Sequence, residues 1–434
     1  MGETEQVQRT IQAIRGTKDV LPAESRAYQW VEETARKLFE AYGYREIRTP
    51  ILEPTELFVR SVGEASDIVV SKQMYTFTDP GDRSNTLRPE GTAGVARALI
   101  ESGLLKETSQ QKLYYIGPMF RYEKPQKGRL RQFTQIGIEF FGVAHPAADA
   151  ETITICDRFL RKLGFPQVTT RLNNIGCKEC RRAYNERLRE EIAKLGASAG
   201  EGEPQWCEQC LRRAELNPMR VFDCKLEDCQ KLAAKLPKIA DAVCDTCTRH
   251  AERLAGLLDS VGIHYELAPE LVRGLDYYTR TVFEIVHGGL GAQNAVIGGG
   301  RYDDLIEELG GPPTPAVGMS IGVERLLLAL EANEIEPPPP PEVEFYILAL
   351  DEEALDVAFR LAEHARTNNV PVIFDCQPRS ARAGLKAANK AGARVALIIG
   401  ADEVQRQVVQ WKNLESSEQV ELELAEVERN LTEM

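Results

Sequence analysis

Residues 121–133 read Arg-Tyr-Glu-Lys-Pro-Gln-Lys-Gly-Arg-Leu-Arg-Gln-Phe and form a basic turn between two strand-like segments. Pro125 and Gly128 mark the turn, because proline and glycine interrupt regular structure. The turn contains one acid, Glu123, and five cations, which are Arg121, Lys124, Lys127, Arg129 and Arg131. Arginine side chains bind phosphate oxygens in a bidentate way, so this turn suits a polyphosphate or a nucleic-acid backbone. The alternative is a solvated charged hairpin.

The segments around this turn predict a sheet. Phe133–Phe141, Tyr278–Val286 and the sequence near Tyr114 are rich in β-branched and aromatic residues, which favour strands. Ser25–Tyr42 has the apolar spacing of an amphipathic helix. We therefore expect an α+β domain built on a largely antiparallel sheet.

A proline run divides the chain. Glu336 is followed by five prolines, Pro337–Pro341, and consecutive prolines favour an extended, semi-rigid spacer. We therefore expect one domain at residues 1–335, a linker at 336–342 and a second domain at 343–434. The elements predicted after the linker are strands Val343–Leu350, Val370–Asp375 and Arg394–Gly400, helices Glu352–Thr367 and Ser380–Ala391, and edge strands Gln407–Asn413 and Gln419–Glu423. Alternating strands and helices predict a C-terminal α/β domain with a parallel sheet.

Residues 173–255 are helix-forming, charged and rich in cysteine, so we expect a helical insertion that interrupts the first domain. It holds eight of the ten cysteines, which are Cys177, Cys180, Cys207, Cys210, Cys224, Cys229, Cys244 and Cys247. The Cys-x-x-Cys spacing lets two thiolates bind one tetrahedral ion, and eight ligands suffice for two four-cysteine sites. We hypothesise structural Zn²⁺, because nothing implies an open coordination position. Alternatively, the cysteines pack as small apolar residues, as we expect for Cys156 and Cys376.

Bulk composition limits the class of protein. The 434 residues are 43% hydrophobic and 27% charged, which is typical of a globular protein of about three domains. No run approaches the ~20 apolar residues of a membrane span, and the polar Met1–Thr10 lacks a secretory pattern. We expect a cytoplasmic protein without a membrane partner. The net charge of -13 argues against nonspecific nucleic-acid binding, although a local basic patch remains compatible with it.

Four further short strings of residues contain groups suited to binding or catalysis. Arg88-Pro-Glu-Gly-Thr92 places the Glu90 carboxylate in a turn that opens a helix, where it is suited to bind an ammonium group. Arg273-Gly-Leu-Asp-Tyr-Tyr278 combines a cation, an acid and two phenols. Gly298-Gly-Gly-Arg-Tyr-Asp303 is glycine-rich but lacks the lysine and hydroxyl of a P-loop. Gly318-Met-Ser-Ile-Gly-Val-Glu-Arg325 is a glycine-bearing strand that runs into an apolar helix, and its glycines permit close approach.

Taken in this order, the strings resemble class II aminoacyl-tRNA synthetases and, more narrowly, the histidyl-tRNA synthetase family. The resemblance begins at Ile14-Arg-Gly-Thr-Lys-Asp-Val-Leu-Pro22 and continues into the C-terminal domain. The family motifs that it covers are motif 1 at Tyr44–Pro54, motif 2 at Arg121–Phe133, motif 3 at Gly318–Arg325, and the two histidine-specific signatures at Leu271–Tyr278 and Gly298–Asp303.

The resemblance implies an activity and its partners. It implies a class II catalytic domain, an anticodon-binding domain at 343–434 and a homodimer formed through motif 1. It also implies that L-histidine is activated with ATP and Mg²⁺ to histidyl-adenylate and transferred to the 3′ end of histidine tRNA. The same resemblance leaves two alternatives. One is a noncatalytic regulatory subunit of histidine biosynthesis, but such relatives typically lose catalytic arginines, whereas Arg121, Arg273 and Arg325 are all present here. The other is a related synthetase for threonine, proline or glycine, and the string Arg273–Tyr278 argues against it.

The resemblance also assigns the nucleotide site. It implies that Arg121 contacts the α-phosphate, that Arg273 lies on the opposite side of this phosphate, and that Arg325 clamps ATP. Phe133 would stack on adenine, with Arg325 over the other face in a cation–π contact. Glu123 completes the predicted ATP site.

For histidine, the resemblance implies one polar partner for each imidazole nitrogen. These partners are Glu139 and Tyr278. The remaining predicted histidine-binding residues are Glu90, Thr92 and Gln135, near the ammonium group, and Tyr277 and Tyr302 in the pocket. For each residue taken alone, a structural hydrogen bond is the alternative role.

The tRNA contacts are predicted in the motif 2 loop, at Lys124, Gln126, Lys127 and Arg129. Gln126 matches the family position that reads the extra 5′ guanosine of histidine tRNA. The sequence departs from the family pattern at Tyr122, Lys124, Thr134 and Asp304, where His, Arg, His and Gly are more usual. These departures put local loop contacts in doubt more than catalysis.

Overall fold

The computed structural model describes residues 11–63, 73–197, 203–286, 295–339 and 343–433. Met1–Thr10 and the linker residues 340–342 lie outside the described ranges. By its described residues, the chain separates into two compact units, Met1–Pro337 and Pro338–Met434. The helices described here include none that is both long and apolar enough to cross a membrane.

The first unit is built on a mainly antiparallel sheet. Its strands are β1 (Arg45–Glu46), β2 (Leu52–Pro54), β3 (Tyr75–Thr78), β4 (Ser84–Leu87), β5 (Gln111–Phe120), β6 (Gln132–Phe141), β7 (Thr169–Asn174), β8 (Tyr265–Leu267), β9 (Thr279–Val286), β10 (Ala295–Arg301) and β11 (Ala316–Gly322). Within the described ranges, eight of them form one sheet in the order β1-β5-β6-β11-β10-β9-β7-β8. The six inner strands pair antiparallel, whereas the edge strands β1 and β8 pair parallel. The predicted antiparallel sheet is therefore confirmed.

Helices cover both faces of this sheet. The α-helices of the first unit are Pro22–Ala41, Thr55–Val62, Thr92–Ser102, Leu104–Glu107, Ala147–Lys162, Lys178–Ala197, Glu208–Leu216, Glu227–Ala233, Asp245–Ser260, Leu305–Glu308 and Val323–Ala332. The helix predicted at Ser25–Tyr42 begins earlier, at Pro22, because the fixed φ of proline suits the first helical turn.

The alternation of β6 separates core from site. Ile136, Ile138 and Phe140 point to one face, where they pack into a core with the helices Pro22–Ala41 and Ala147–Lys162. The other residues of the strand face the opposite side, because successive side chains alternate across a sheet. This places Phe133, Gln135 and Glu139 of β6 on one face, which is the face that carries the site. The register of a single strand therefore brings three predicted site residues together.

The insertion between β7 and β8 is helical. β7 continues to Asn174, and the last helix of the insertion, Asp245–Ser260, extends past the predicted boundary at residue 255. Two short 3₁₀ helices, Pro218–Asp223 and Ile239–Ala242, also lie in the described part of the insertion. Cysteine-rich and helical, it agrees with the predicted fold class.

A buried ion pair joins the sheet to the helices. Arg301 of β10 and Asp149 of the helix Ala147–Lys162 are both 0% exposed and form a salt bridge. Arg301 also donates to Asp303 Oδ1 at 2.9 Å, and His250 Nε2 of the insertion lies 3.4 Å from Asp149 Oδ2. Burial acts to raise the pKa of Asp149, but Arg301 and His250 lower it to about 2. The arginine of the Gly298–Asp303 string is therefore a structural residue.

The second unit has an α/β sheet. Its strands are β12 (Val343–Ala349), β13 (Val372–Phe374), β14 (Ala393–Ile399), β15 (Val408–Asn413) and β16 (Gln419–Glu423), and its helices are Glu352–Thr367, Ala381–Lys390, Ala401–Arg406 and Leu424–Glu433. The described strands follow the order β13-β12-β14-β15-β16. β12 pairs parallel with β13 and β14, whereas β15 and β16 pair antiparallel. The α/β prediction is confirmed, with a mixed rather than wholly parallel sheet.

Two details of the second unit differ from the predictions. The sequence did not predict the helices Ala401–Arg406 and Leu424–Glu433. Cys376 is exposed rather than part of a core, because it follows the end of β13, whereas Cys156 is buried as expected.

Replacing Asp149 with Asn should leave the buried Arg301 with Asp303 as its remaining carboxylate partner. We expect the free energy of unfolding at about pH 7 to fall, by at most the roughly 3–5 kcal/mol that an unpaired buried charge costs, measured by urea denaturation. A carboxyl whose folded pKa is depressed stabilises the fold above its unfolded pKa, and this contribution is lost as the pH falls through about 2. The difference from wild type should therefore shrink in acid.

The matched control is Glu363→Gln, which breaks the exposed ion pair to Arg366. It should change the free energy of unfolding by less than about 1 kcal/mol. Equal effects of the two substitutions would contradict the structural role of the buried pair.

Candidate active site

A cavity of about 520 Å³ lies on the site face of the large sheet. Its cationic wall is formed by Arg121, Arg129, Arg273 and Arg325. Its other predicted residues are the polar Glu90, Glu123 and Gln135 and the aromatic Phe133, Tyr277 and Tyr278. Gly298 also lines the cavity, so residues from all five sequence strings meet around one space large enough for a small molecule.

Glu139 forms a hydrogen-bonded group with Thr92 and Tyr302. Thr92 Oγ1 donates to Glu139 Oε1 at 2.7 Å, and the Tyr302 hydroxyl donates to Glu139 Oε2. A Cβ atom at Gly318 would overlap the Glu139 carboxylate. The glycine of β11 therefore makes room for the acid, and two hydroxyls fix its orientation.

The environment of Glu139 changes its titration. Its side chain is 1% exposed, and burial raises its pKa to about 8, although the hydrogen bonds from Tyr302 and Thr92 act in the opposite direction. A buried carboxyl of this kind can exchange a proton near neutral pH. Glu139, Thr92 and Tyr302 are not among the residues that line the cavity, but the Tyr302 ring lies 5.4 Å from the ring of Tyr277, which does.

Glu90 lies in the turn just before the helix Thr92–Ser102, as the sequence predicted. Its carboxylate accepts hydrogen bonds from the backbone N–H groups of Thr92 at 2.7 Å and Ala93 at 2.8 Å. Burial raises its pKa, while these N–H donors oppose the shift. Glu90 therefore satisfies two of the unpaired donors of a helix N-terminus while it also lines the cavity.

Two hydrogen bonds to its side-chain oxygen orient Gln135. The Oε1 atom accepts from the Gly91 N–H at 3.1 Å and from the Tyr115 hydroxyl at 3.2 Å. Both bonds use the acceptor, so the amide nitrogen, a donor, is the group offered to the cavity. A donor suits a carboxylate or phosphate oxygen better than an ammonium group. Tyr115 was not identified from the sequence, although it positions Gln135.

Arg273 lies against strands β9 and β10 below the cavity. It forms an ion pair with Glu284 of β9, and a Cβ atom at Gly298 would overlap its guanidinium. Burial acts to lower the pKa of Arg273, but Glu284 and other neighbours, including Asp223, raise it. The Nε atom is buried and has no hydrogen-bond partner among the described residues. Arg273 is therefore charged and held in position on the cavity wall.

Arg121 and Arg325 lie on the same positively charged wall. Arg121 Nε donates to the Pro89 carbonyl at 2.8 Å, and its guanidinium lies 5.3 Å from the centre of the Phe133 ring. Burial lowers the pKa of Arg325, and the nearby charges of Arg129 and Arg273 contribute. Like charges held this close are stabilised by a polyanionic ligand.

The basic turn is a tight hairpin at the edge of the cavity. The backbone N–H of Arg129 donates to the Gln126 carbonyl at 2.9 Å, and Gly128 has a φ of +75°, which favours glycine. A second cavity of about 330 Å³ is lined by Lys124, Gln126 and Arg129. Lys127 is 80% exposed, with Glu331 at 3.9 Å. The predicted tRNA residues therefore form an accessible surface beside the main cavity.

The four departures from the family pattern lie near this surface or behind it. Tyr122 is exposed and lies under the Arg131 guanidinium, 4.0 Å from it. The Thr134 N–H donates to Glu324 at 2.8 Å, and Asp304 lies 3.7 Å from Arg181 of the insertion. Lys124 is an exposed residue of the hairpin. Each departure has a local partner or contacts solvent, and none interrupts the group around Glu139.

Two cations of the cavity wall were missed by sequence reasoning. Arg171 of β7 and Lys225 of the insertion both line the cavity. Lys225 immediately follows Cys224 and lies far from Arg273 along the chain, so no local spacing indicates its position. Only the fold of the insertion over the sheet brings it there.

The cysteines of the insertion form two groups among the described residues. Cys177 and Cys180 meet Cys244 and Cys247, while Cys207 and Cys210 meet Cys224 and Cys229, and in each group the sulfur atoms lie within 4.8 Å of one another. All are free thiols.

The sulfur spacing fits a metal ion. Sulfur atoms bound at about 2.3 Å around a tetrahedral ion lie about 3.8 Å apart, and Cys207 Sγ lies 3.9 Å from Cys224 Sγ. Both groups therefore have the donors and the approximate geometry of a four-thiolate metal site.

Comparisons with known proteins cover nearly the whole chain. The family model described as histidyl-tRNA synthetase matches residues 16–326, and the model described as anticodon binding domain matches residues 344–434. A histidine–tRNA ligase from Caldanaerobacter subterraneus is 48% identical over 96% of this chain and 98% of its own length. One from Natranaerobius thermophilus is 47% identical over 97% and 99%. The crystal structure of apo Staphylococcus aureus histidyl-tRNA synthetase superposes with a TM-score of 0.82 at 34% identity, covering 98% of this chain and all of that one.

The Glu139→Gln substitution should reveal the shifted titration. The folded pKa of about 8 exceeds the ordinary value of 4.5, so wild type loses stability as the pH rises from about 4.5 to 8. The variant lacks this loss. We expect its free energy of unfolding, relative to wild type, to increase between about pH 5 and 8 by a few kcal/mol, since one pKa unit corresponds to about 1.4 kcal/mol. Urea denaturation across this range measures the change, and a difference independent of pH would contradict it.

Proposed function

The chain belongs to the histidyl-tRNA synthetase family, and from that premise we propose which role each residue of its site has in the reaction. The protein is a histidine–tRNA ligase, which activates L-histidine with ATP and transfers the histidyl group to tRNA. A noncatalytic regulatory role is not favoured. The observation that supports the assignment of roles is the single cavity in which Arg121, Arg273 and Arg325 line the wall beside the Glu139 group.

In the first step, a histidine carboxylate oxygen attacks the α-phosphorus of ATP, and pyrophosphate leaves. Negative charge accumulates on phosphate oxygens, so positioning and electrostatic stabilisation provide the catalysis. Arg121 and Arg273, which both line the cavity, bind the α-phosphate from two sides. Arg325 clamps the nucleotide, with Glu123 nearby on the wall.

Adenine recognition uses the aromatic ring of Phe133. The Arg121 guanidinium lies near this ring, and Arg325 covers the adenine from its other face. A guanidinium beside an aromatic ring gains about 0.5–2 kcal/mol from the cation–π interaction. The adenine is thus held between an aromatic ring and a cation.

Histidine is recognised through its ring nitrogens. Glu139 accepts a hydrogen bond from one imidazole N–H, and the Tyr278 hydroxyl serves the other nitrogen. Tyr277 and Tyr302 close the pocket, where their rings lie 5.4 Å apart in an edge-on arrangement. Because buried polar groups are left unpaired by an apolar analogue, this pocket rejects amino acids without two ring nitrogens.

The backbone of the amino acid lies over the helix that begins at Thr92. Glu90 supplies negative charge for the ammonium group, and Thr92 contributes its hydroxyl. The amide nitrogen of Gln135 binds the carboxylate or the α-phosphate rather than the ammonium group, since its oxygen already has two donors. This role for Gln135 differs from the one implied by resemblance.

ATP enters as its Mg²⁺ complex, and the ion neutralises charge on the phosphates. Mg²⁺ usually keeps several waters and binds one or two carboxylates together with substrate phosphates. Glu123 and Glu284 of the cavity wall are carboxylates of this kind. They pair with Arg129 and Arg273 in the free protein, and they are the residues that would hold the ion.

The hairpin Lys124–Arg129 meets the acceptor end of histidine tRNA, where Gln126 reads the extra 5′ guanosine. Lys124, Lys127 and Arg129 supply cations for the tRNA phosphates. The domain at 343–434 binds the anticodon, in line with the family model that matches it. The catalytic domain spans 1–335, interrupted by the insertion at 173–255, and 336–342 is the linker.

A second copy of the chain pairs through Tyr44–Pro54. This segment presents Ile51 and Leu52, which are 42% and 50% exposed in one chain. Exposed apolar side chains next to each other are typical of an interface. We place the homodimer in the cytoplasm, where aminoacylated tRNA is used.

The two cysteine groups hold structural Zn²⁺. Four thiolates complete the tetrahedral coordination of zinc and leave no open position for a substrate. Nearby sulfur atoms in each group and the absence of disulfides support this assignment. Metal binding then contributes to the folding free energy of the small charged insertion.

ATP–pyrophosphate exchange with each amino acid in turn tests the function. We expect exchange with histidine alone. Arg273→Ala should lower the exchange rate about 10²–10³-fold, because it removes a preorganised donor to the α-phosphate. Arg360→Ala, at an exposed position of the second unit, is the matched control and should keep the wild-type rate. Exchange with another amino acid, or near-normal exchange by the Arg273 variant, would contradict the assignment.

Elemental analysis of the purified protein tests the metal assignment. We expect two zinc ions per chain and one in Cys177→Ser, because that variant breaks one of the two four-cysteine groups. Cys376→Ser, which alters an exposed cysteine outside both groups, should retain two. A wild-type protein without bound metal would refute the proposal.

A further inference from the structure

We infer that the metal site of Cys207, Cys210, Cys224 and Cys229 positions the loop Arg273–Tyr278, so that loading of this one site sets the rate of histidine activation. The inference rests on the proposed function and deepens it, because it gives a structural metal a role in the chemistry. We call these four residues the second cysteine group. Three observations support the connection.

First, the ligands enclose a short segment. Cys210 lies in the helix Glu208–Leu216, and Cys224 directly follows the 3₁₀ helix Pro218–Asp223. Cys207 caps the first of these helices, since its sulfur accepts the Cys210 N–H at 3.4 Å. A metal bound by these cysteines therefore closes residues 207–224 into a ring and fixes both ends of the segment 211–223.

Second, the enclosed segment holds the loop. Arg220 Nη1 donates to the Gly274 carbonyl at 2.9 Å, and Asn217 Nδ2 donates to Asp276 Oδ1 at 2.7 Å. Arg220 is 3% exposed, and Asp223 accepts from its Nε at 2.9 Å, which fixes the direction of the guanidinium. Gly274 lies next to Arg273, and the two contacts therefore hold the loop on both sides of Leu275.

The loop needs this support, because it has little regular structure of its own. In the described ranges, residues 273–278 form neither helix nor strand. The Asp276 N–H reaches the Val62 carbonyl only at 3.4 Å, which is long for a backbone hydrogen bond. Side chains of the insertion therefore account for much of its hydrogen bonding. A displacement of about 1 Å in such a loop is enough to cost on the order of 100-fold in rate.

Third, the same segment reaches the cavity. Asp223 is one of the neighbours that raise the pKa of Arg273, after Glu284. Lys225, which follows the ligand Cys224, lines the cavity itself. The second cysteine group is thus connected to the substrate site by charge as well as by hydrogen bonds.

The group of Cys177, Cys180, Cys244 and Cys247 differs in position. It joins the start of the insertion to its last helix, and Asn174 of β7 donates to the Cys247 carbonyl at 2.9 Å. Its link to the loop runs through Arg181, which donates to the Asp276 carbonyl at 3.1 Å. Loss of an ion from this group should therefore affect stability more than activation, which makes it the matched control.

The experiment uses full-length protein and four variants: Cys229→Ser, Cys244→Ser, Arg220→Met and Arg220→Lys. Zinc per chain, thermal unfolding, and kcat and KM for histidine in ATP–pyrophosphate exchange are measured for each. We expect Cys229→Ser to retain one ion and to lose about 10–100-fold in kcat/KM. Cys244→Ser should also retain one ion but lose less than about threefold.

The Arg220 variants test the hydrogen bond to the Gly274 carbonyl separately from metal binding. Arg220→Met should keep two ions and still lose about 10–100-fold, mainly in kcat, because Arg273 acts on the transition state. Arg220→Lys should regain part of the rate, since an ammonium group can still donate to the Gly274 carbonyl. A residue that is only structural would lower the unfolding temperature without changing kcat or KM of the folded enzyme.

The outcomes are distinguishable. Normal kcat and KM in Arg220→Met, or in Cys229→Ser with one ion lost, would overturn the inference, as would equal losses in Cys229→Ser and Cys244→Ser. If Cys229→Ser does not fold, Arg220→Met alone decides. Failure of wild type to exchange with histidine would instead refute the proposed function, and wild type without zinc would refute the metal sites.

Discussion

The site depends on the absence of side chains at three positions of two neighbouring strands. Cβ atoms at Gly298 and Gly300 of β10 would meet Arg273 and Tyr278, and one at Gly318 of β11 would meet Glu139. A strand rich in glycine is less stable than one with β-branched residues. The sheet is therefore less stable at these positions, but it leaves space for the side chains of Arg273, Tyr278 and Glu139. Segments that are far apart in sequence can meet above the sheet only because these three positions have no side chain.

Much of the architecture could be predicted because its signals are local. The apolar alternation of β6 and the helix pattern near the N-terminus appear within a dozen or two residues. The contacts of Lys225 with the cavity and the way the eight cysteines divide into two groups could not be predicted. They depend on how the insertion folds back over the sheet, and the spacing of residues along the chain does not indicate this fold.

Arginines within the recognisable strings serve two different purposes, which sequence cannot separate. Arg88 donates to the carbonyls of Thr49 and Pro118, and Arg301 is fully buried against Asp149. These side chains join segments of the fold. Arg273 and Arg325 instead line the cavity. What distinguishes the two kinds is where the guanidinium lies in the folded chain, which no local sequence pattern indicates.

The carboxyl group of Glu139 couples ligand binding to the proton content of the solution. Burial raises the pKa of this group to about 8, whereas the imidazole N–H that we propose it binds would favour the ionised form. Under that proposal, binding of histidine expels a proton, which the buffer takes up. The heat measured for this binding must therefore vary with the ionisation enthalpy of the buffer, and its slope in calorimetry counts the protons released.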